Sequence, residues 1–174
     1  MKKIIYPIAA LLIITGSAFT ISSFQEWKIG SGYSVKFDGG EPAGQFSDLK
    51  GTLIFDPADL AKAKFDVSID ASTINTGNGM MNTHAKSAEW FDVQRFPFIR
   101  FTSESFEKTA TGFSVKGTLD MHGVQKPVVI PFTFVDNVFT GGFNINRLDY
   151  NINPAQPKRG ATELKVDISV PVTK

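Results

Sequence analysis

The densest group of side chains that could do chemistry lies in residues 83–104, THAKSAEWFDVQRFPFIRFTSE. This segment holds His84 together with carboxylates, basic residues and several aromatic residues. A Ser-His-Asp triad can be written from Ser87, His84 and Asp92, but the chain has no GxSxG nucleophile elbow. The segment therefore either acts on a substrate or closes an apolar interior. The secondary structure predicted around it distinguishes these two roles.

A metal-assisted hydrolase is the alternative that would use both histidines of the chain. A catalytic zinc site needs three protein ligands. His84 and His122 lie about forty residues apart, so Glu89, Asp92 or Asp120 would have to complete the set, and no HExxH-type spacing is present. We therefore predict no catalytic residue, no metal site and no cofactor, and keep the hydrolase as an alternative.

The N-terminus has the pattern of a secretory signal peptide. Two lysines precede an apolar run at residues 4–14, which is too short for a comfortable membrane span, and small residues follow at 16–18. We expect a signal peptide over residues 1–18, with a boundary up to about residue 23, and one domain over 24–174 in the periplasm or outside the cell. An uncleaved anchor is the alternative.

The composition excludes several classes of protein and contains one unusual feature. The chain has no cysteine, which excludes disulfides and thiol chemistry. Without the two N-terminal lysines, sixteen basic residues face seventeen acidic ones, so nothing predicts a nucleic-acid partner. The chain has sixteen phenylalanines but only three tyrosines and two tryptophans, so most of its aromatic residues have no polar group.

Alternation of apolar and polar residues dominates the chain after the signal peptide. In KFDVSIDA, Phe65, Val67 and Ile69 share one face of a predicted strand, and polar residues occupy the other face. Strands with one wet face favour an antiparallel sheet, and closing the sheet into a barrel removes its edges. The predicted strands cover residues 26–37, 45–55, 64–71, 98–106, 113–121, 128–135, 138–145 and 163–172. The sequence thus predicts an all-β fold, an eight-stranded antiparallel soluble barrel.

Two features interrupt this pattern. Residues 75–91 have helical spacing and composition, and Pro97 prevents a helix from continuing far beyond them, so we predict one short helix that acts as a lid. Pro131 falls on the polar face of its strand, as an edge or bulge position would permit. Exposed rows around Pro131 offer a surface on which a homodimer could form.

The phenylalanine rows predict an apolar cavity, although the same side chains could simply fill the barrel. Gly117 and Gly141 interrupt inward rows and would make room, and a methionine pair adds pliable apolar surface. The predicted cavity residues are Phe65, Val67, Ile69, Met80, Met81, Phe101, Phe113, Phe132, Phe134 and Phe143. The predicted polar groups at its mouth are His84, Lys86, Arg95 and Arg147.

Three segments, residues 51–78, 84–106 and 115–134, resemble in that order the YceI-like family of exported lipid-binding proteins. The resemblance implies a lipocalin-like barrel with a short helical segment, and a polyisoprenoid such as an isoprenoid quinone or a prenyl pyrophosphate along its interior. This chain departs from the family in residues 80–83, MMNT, where relatives carry a more charged stretch. The departure implies a less charged or neutral amphiphile.

We therefore expect a periplasmic or secreted binding or carrier protein for an isoprenoid or a similar long amphiphilic lipid. Its partners would be this long-chain apolar ligand, a membrane in transient contact, and a second copy of the chain. A packed structural barrel of the cell envelope without a ligand is the remaining alternative.

Overall fold

A computed structural model describes residues 25–174. The predicted signal peptide, residues 1–18, lies outside the described residues. The strands are β1 Glu26–Ile29, β2 Ser34–Asp38, β3 Ala43–Phe46, β4 Lys50–Ile54, β5 Lys64–Asp70, β6 Phe98–Thr109, β7 Gly112–Met121, β8 Val124–Val135, β9 Val138–Asn146 and β10 Glu163–Thr173. One α-helix, α1 Gly79–Lys86, and three short 3-10 turns complete the described elements.

Eight of these strands close into an antiparallel barrel in the order β1-β4-β5-β6-β7-β8-β9-β10, and β10 returns to pair with β1. β2 and β3 continue the sheet from β10, so that β1 and β2 both run along β10. Each predicted strand corresponds to one or two observed strands. The predicted eight-stranded antiparallel barrel is confirmed.

β10 shows how the alternation builds the wall. Leu164 and Val170 are buried inside, whereas Lys165 and Asp167 face water and form an ion pair at 3.0 Å. Successive side chains of a strand point to opposite faces, so every second residue of β10 directs its side chain into the interior. The strand therefore contributes a continuous apolar row to the barrel.

The two ends of the barrel differ. One end, called the closed end below, carries the turns at 110–111 and 136–137 and the segment 55–63 that follows β4. The other end, called the mouth, carries the long connection 71–97 and the loop 147–162. Antiparallel neighbours place successive connections at alternate ends, so the two longest connections, 71–97 and 147–162, lie at the same end as the short turn at 122–123.

Helix α1 is shorter than predicted. Asn78 caps its start, because its side chain accepts hydrogen bonds from the main-chain N–H groups of Met80 and Met81 at 2.9 and 3.1 Å. The predicted lid helix extended to Phe91, and that prediction is wrong beyond Lys86. The Ser87 hydroxyl donates to the His84 carbonyl at 2.7 Å and ends the helix there.

Pro131 belongs to β8, which pairs with a strand on each side, so Pro131 is not on an edge strand of the sheet. It pairs with Ser114 of β7, and the pairing of β8 with β9 begins at the next residue, where Phe132 faces Gly141. Proline has no N–H to give to a ladder. β8 accommodates Pro131 because its pairing with β9 ends at Phe132, so no partner on that side needs an N–H group from residue 131.

None of the helices within residues 25–174 combines the length and the apolar character that a membrane span requires.

Candidate functional site

The barrel contains an apolar cavity of about 220 Å³ that opens toward the mouth. Phe132 and Phe139 line it near the closed end, and Ala85 and Phe91 line it beneath the mouth. Its volume lies a little below the range of about 300–1,000 Å³ that is common for small-molecule pockets. Among the described residues that line it there is no aspartate, glutamate or histidine. The wall therefore offers apolar contact rather than acid–base chemistry.

Six of the ten predicted cavity residues line this cavity: Phe65, Val67, Ile69, Phe101, Phe132 and Phe143. They come from β5, β6, β8 and β9, and the period of two aims each of them inward. Their role as ligand contacts stays a prediction.

Phe113 and Phe134 do not line the cavity. Their rings pack on Phe55 at centroid distances of 5.1 and 5.4 Å and help to fill the closed end. Phe55 is 0% exposed and also contacts Phe132 and Phe139, each at 5.4 Å. The predicted cavity is thus a pocket with one closed end, because segment 55–63 folds Phe55 across that end.

Met80 and Met81 also lie outside the cavity, with 81% and 41% of their surfaces exposed. They occupy the first turn of α1, and of this helix Ala85 alone lines the cavity in the described chain. Ala85, in the last turn of the helix, packs against the buried cluster of Phe37, Phe46 and Ile74. The assignment of the methionine pair to the cavity was wrong, because the packed residue of α1 lies in its last turn and the first turn faces water.

Gly117 and Gly141 differ in what replaces the missing side chain. A Cβ on Gly117 would lie 2.6 Å from the ring of Phe101, so this glycine makes room for a phenylalanine rather than for a ligand. Gly141 lines the cavity opposite Phe132, but a Cβ there would lie 2.7 Å from the Pro131 carbonyl oxygen and 3.1 Å from the Phe132 Cβ. Each glycine therefore accommodates a close neighbour, and neither opens space for a ligand as predicted.

Three of the four predicted mouth residues, His84, Lys86 and Arg95, do not line the cavity. Arg95 is exposed and its guanidinium lies over the Phe96 ring at 5.1 Å. These long polar side chains can reach water from the outer surface of the connection 71–97, and burial in an apolar wall would cost them their hydration.

His84 belongs instead to a surface network that fastens the loop 147–162 to the end of α1. Its Nε2 lies 3.2 Å from Glu89 and 3.0 Å from Arg159. Glu89 also accepts hydrogen bonds from Arg159 at 3.1 Å and from Gln156 at 3.0 Å. The network joins two connections that are far apart in sequence and holds them across the mouth.

Arg147, the fourth predicted mouth residue, lines the cavity but is 2% exposed and so is not at the rim. Its guanidinium donates to six main-chain oxygens, at 2.6 to 3.3 Å. They belong to Ile152, Asn153, Gln156, Pro157, Arg159 and Ala161. Burial lowers the pKa of the Arg147 guanidinium from its ordinary value. The loop 147–162 is therefore folded around one buried charge.

Replacing Arg147 with methionine should lower the free energy of unfolding by about 2–3 kcal/mol, because six carbonyl oxygens lose their donor in a water-poor site. Urea unfolding measures this change, and hydrogen exchange should show residues 151–161 opening first. Arg159→Met, which removes a guanidinium about half exposed, is the matched control and should cost less than about 1 kcal/mol. Equal urea midpoints for the two variants would contradict this view of the loop.

The two histidines contribute to no metal site in the described residues. Within residues 25–174, no three side chains of the His, Cys, Asp and Glu types come together to hold an ion. His122 Nδ1 lies 3.0 Å from the Tyr150 carbonyl, and its ring packs on Phe96. The hydrolase alternative thus finds no ligand set in this part of the chain.

Sequence reasoning missed three parts of the site. Phe55 was placed in a strand but not recognised as the centre of the closed end. The strand at 163–172 was predicted, but its inward row, which includes Val166, was not assigned to the cavity that it lines. Trp90 lines the cavity beneath Arg147, whose Cζ lies 5.2 Å from the ring centroid. The alternation could have identified the β10 row, whereas no local signal marks the other two.

A closed eight-stranded antiparallel barrel with an apolar pocket and one short helix at its mouth is a lipocalin-like architecture. The family model described as the YceI-like domain matches residues 22–173. A UPF0312 protein of Yersinia enterocolitica is 31% identical over 165 residues, which are 83% of this chain and 83% of the relative. The chain therefore belongs to the YceI-like domain family, as its motifs predicted.

Two solved structures share the fold. BcnA of Burkholderia cenocepacia superposes with a TM-score of 0.73 at 24% identity, over 86% of this chain and 96% of that one. A polyisoprenoid-binding domain of Saccharophagus degradans superposes with a TM-score of 0.58 at 16% identity, over 85% of this chain and 97% of that one. At these identities the likeness supports the barrel itself.

Proposed function

We propose that this protein binds an isoprenoid, quinone-like or prenyl, or a similar long amphiphilic lipid in the barrel cavity and carries or holds it outside the cytoplasm. The observation that carries this proposal is the pocket of about 220 Å³ with an apolar wall and a closed end. Each CH₂ group that leaves water for such a pocket gains about 0.8 kcal/mol. An apolar chain entering through the mouth is therefore the ligand that this geometry favours most.

Two further observations support the proposal. The related domain of Saccharophagus degradans is described as polyisoprenoid-binding. The N-terminal pattern of residues 1–18 is that of an exported protein. Together they favour an isoprenoid as the chain and the periplasm or the exterior as the location.

We also propose that the protein is not an enzyme. Acid–base catalysis needs a titratable side chain within hydrogen-bonding reach of the substrate. Among the described residues, the cavity wall supplies serine, threonine and basic side chains but no carboxylate or imidazole. The cavity can hold a ligand but offers no carboxylate or imidazole to accept a proton from it.

The test is to isolate the protein from its native host under gentle conditions and to analyse an organic extract by mass spectrometry. We expect one class of long-chain isoprenoid or similar lipid, near one molecule per barrel, in protein taken from the periplasmic or secreted fraction. N-terminal sequencing of the same sample should place the first residue close after residue 18. Protein that carries no lipid and does not take up an added polyprenyl chain would refute the proposal.

A further inference from the structure

Two buried N–H groups at the mouth have no hydrogen-bond partner in the described protein: Trp90 Nε1 and Asn153 Nδ2. Most buried donors in proteins are paired, so an unpaired donor needs an explanation. The other tryptophan, Trp27, follows the rule, because its Nε1 donates to the Phe55 carbonyl at 2.8 Å. The unpaired indole is thus the one that lines the cavity.

Both groups lie beside the same buried charge. The Arg147 Cζ lies 5.2 Å from the centroid of the Trp90 ring, and its Nη1 donates to the Asn153 carbonyl at 3.1 Å. Trp90 and Arg147 line the cavity, and Asn153 is 3% exposed. This corner, formed by Trp90, Arg147 and Asn153, combines a buried positive charge with two unpaired donors that lie beneath the apolar wall of the cavity.

The corner is poorly suited to a phosphate group. A guanidinium has five N–H donors, and those of Arg147 are shared among six main-chain oxygens. A phosphate oxygen would have to displace these carbonyls and open the loop 147–162. The remaining donors are neutral, and burying a multiply charged group beside an apolar wall is very costly. A single uncharged acceptor requires neither change.

We propose that this corner binds the head group of the ligand, and that the head group is an uncharged hydrogen-bond acceptor, such as a carbonyl oxygen, that accepts from Trp90 Nε1. The inference rests on the proposed function, since the apolar chain of the same molecule would occupy the cavity below. It adds the position of the head group and its chemical class. Trp90 is then a binding residue that determines specificity.

The first experiment compares three probes that carry a farnesyl chain: farnesylacetone, which has a ketone, its hydrocarbon analogue, in which a CH₂ group replaces the ketone carbonyl, and farnesyl diphosphate. Wild-type protein should bind farnesylacetone about tenfold more tightly than the hydrocarbon analogue of equal length, because a buried donor gains its acceptor. The diphosphate should bind more weakly than the ketone. Equal affinity for the ketone and the hydrocarbon, or tightest binding of the diphosphate, would overturn the assignment and leave the proposed function standing. If no probe binds, the proposed function itself fails.

The matched variants are Trp90→Phe and Trp27→Phe. The first removes the unpaired N–H and keeps an aromatic ring under Arg147, so the hydrocarbon dissociation constant divided by the ketone dissociation constant should fall from about ten to near one. The second removes an N–H that is already bound to the Phe55 carbonyl, and the ratio should stay near its wild-type value. Because each result is a ratio within one variant, a general loss of affinity does not affect it. If this ratio stays near its wild-type value in Trp90→Phe, the proposal is overturned.

A measurement on the unmodified protein is independent of how the variants fold. The chain has two tryptophans and therefore two indole N–H resonances in a proton–nitrogen correlation spectrum. Farnesylacetone should move the Trp90 indole proton downfield, its hydrocarbon analogue should not, and the Trp27 resonance should stay in place with both. A Trp90 resonance that responds identically to both probes would mean that water alone satisfies this donor, which overturns the proposal.

Discussion

Replacing Phe55 with alanine is expected to lower the free energy of unfolding by about 3–5 kcal/mol, the usual cost of truncating a buried phenylalanine. Phe55 is 0% exposed, and six other phenylalanine rings pack on it with centroids 5.1 to 6.2 Å away. Urea unfolding measures the change. Phe55→Leu should cost less, since it leaves a smaller void, and keeps a folded protein available if the alanine variant is too unstable.

The same substitution should change which ligands fit. Phe55 contacts Phe132 and Phe139, which line the cavity, so its truncation extends the pocket into the volume that the Phe55 ring occupied. Folded Phe55→Ala should gain affinity for longer polyprenyl chains relative to farnesylacetone, because more CH₂ groups can be buried. Phe98→Ala is the control: this ring is 44% exposed on the outer surface, and its loss should affect neither stability by more than about 1 kcal/mol nor chain-length preference. An unchanged preference in Phe55→Ala would show that this ring does not set the depth of the cavity.

Filling the cavity from β10 should abolish binding while leaving the barrel folded. Val166 pairs with Phe143 of β9 and with Phe37 of β2, and all three line the cavity. Val166→Trp places an indole where the chain of the ligand would lie. If it excludes four CH₂ groups, binding loses about 3 kcal/mol, and we therefore expect at least about a hundredfold rise in the dissociation constant for farnesylacetone.

The adjacent residue supplies the control for this prediction. Lys165 lies on the same strand with its side chain in water, so Lys165→Trp adds the same ring outside the barrel. It should bind farnesylacetone like the wild type. Titration calorimetry measures both affinities, and circular dichroism checks both folds, since overpacking costs about 1–3 kcal/mol where a core has no spare volume. Binding that persists in folded Val166→Trp would place the ligand elsewhere.

The strands and the barrel could be predicted from the sequence because alternation is a local property. A period of two assigns each residue to a face without any knowledge of its neighbours in space. Phe65 and Phe132 were therefore correctly expected to face the interior. The end of α1 was missed because a single hydroxyl, that of Ser87, binds the His84 carbonyl, and composition alone does not show this.

The alternation of apolar and polar residues does not predict how far along the barrel axis an inward side chain lies. Phe132 and Phe134 are two residues apart on one face, yet the first lines the cavity and the second fills the closed end. The difference arises because Phe55, from a segment about eighty residues earlier, folds across the end of the barrel. A contact between segments so far apart in sequence leaves no periodic signal in either of them.

The sequence by itself determined the barrel, its apolar interior and the family to which the chain belongs, because these follow from the order of apolar and polar residues and from motifs within continuous segments. Tertiary structure alone decided where the cavity ends, which face of α1 turns toward it, and that Arg147 is buried under a loop rather than exposed at the rim. These features depend on side chains meeting main-chain groups of other connections, such as the six carbonyls that surround Arg147. The reason is physical: the energy of a buried polar group is set by the partners that folding brings to it, and these partners are not its neighbours along the chain.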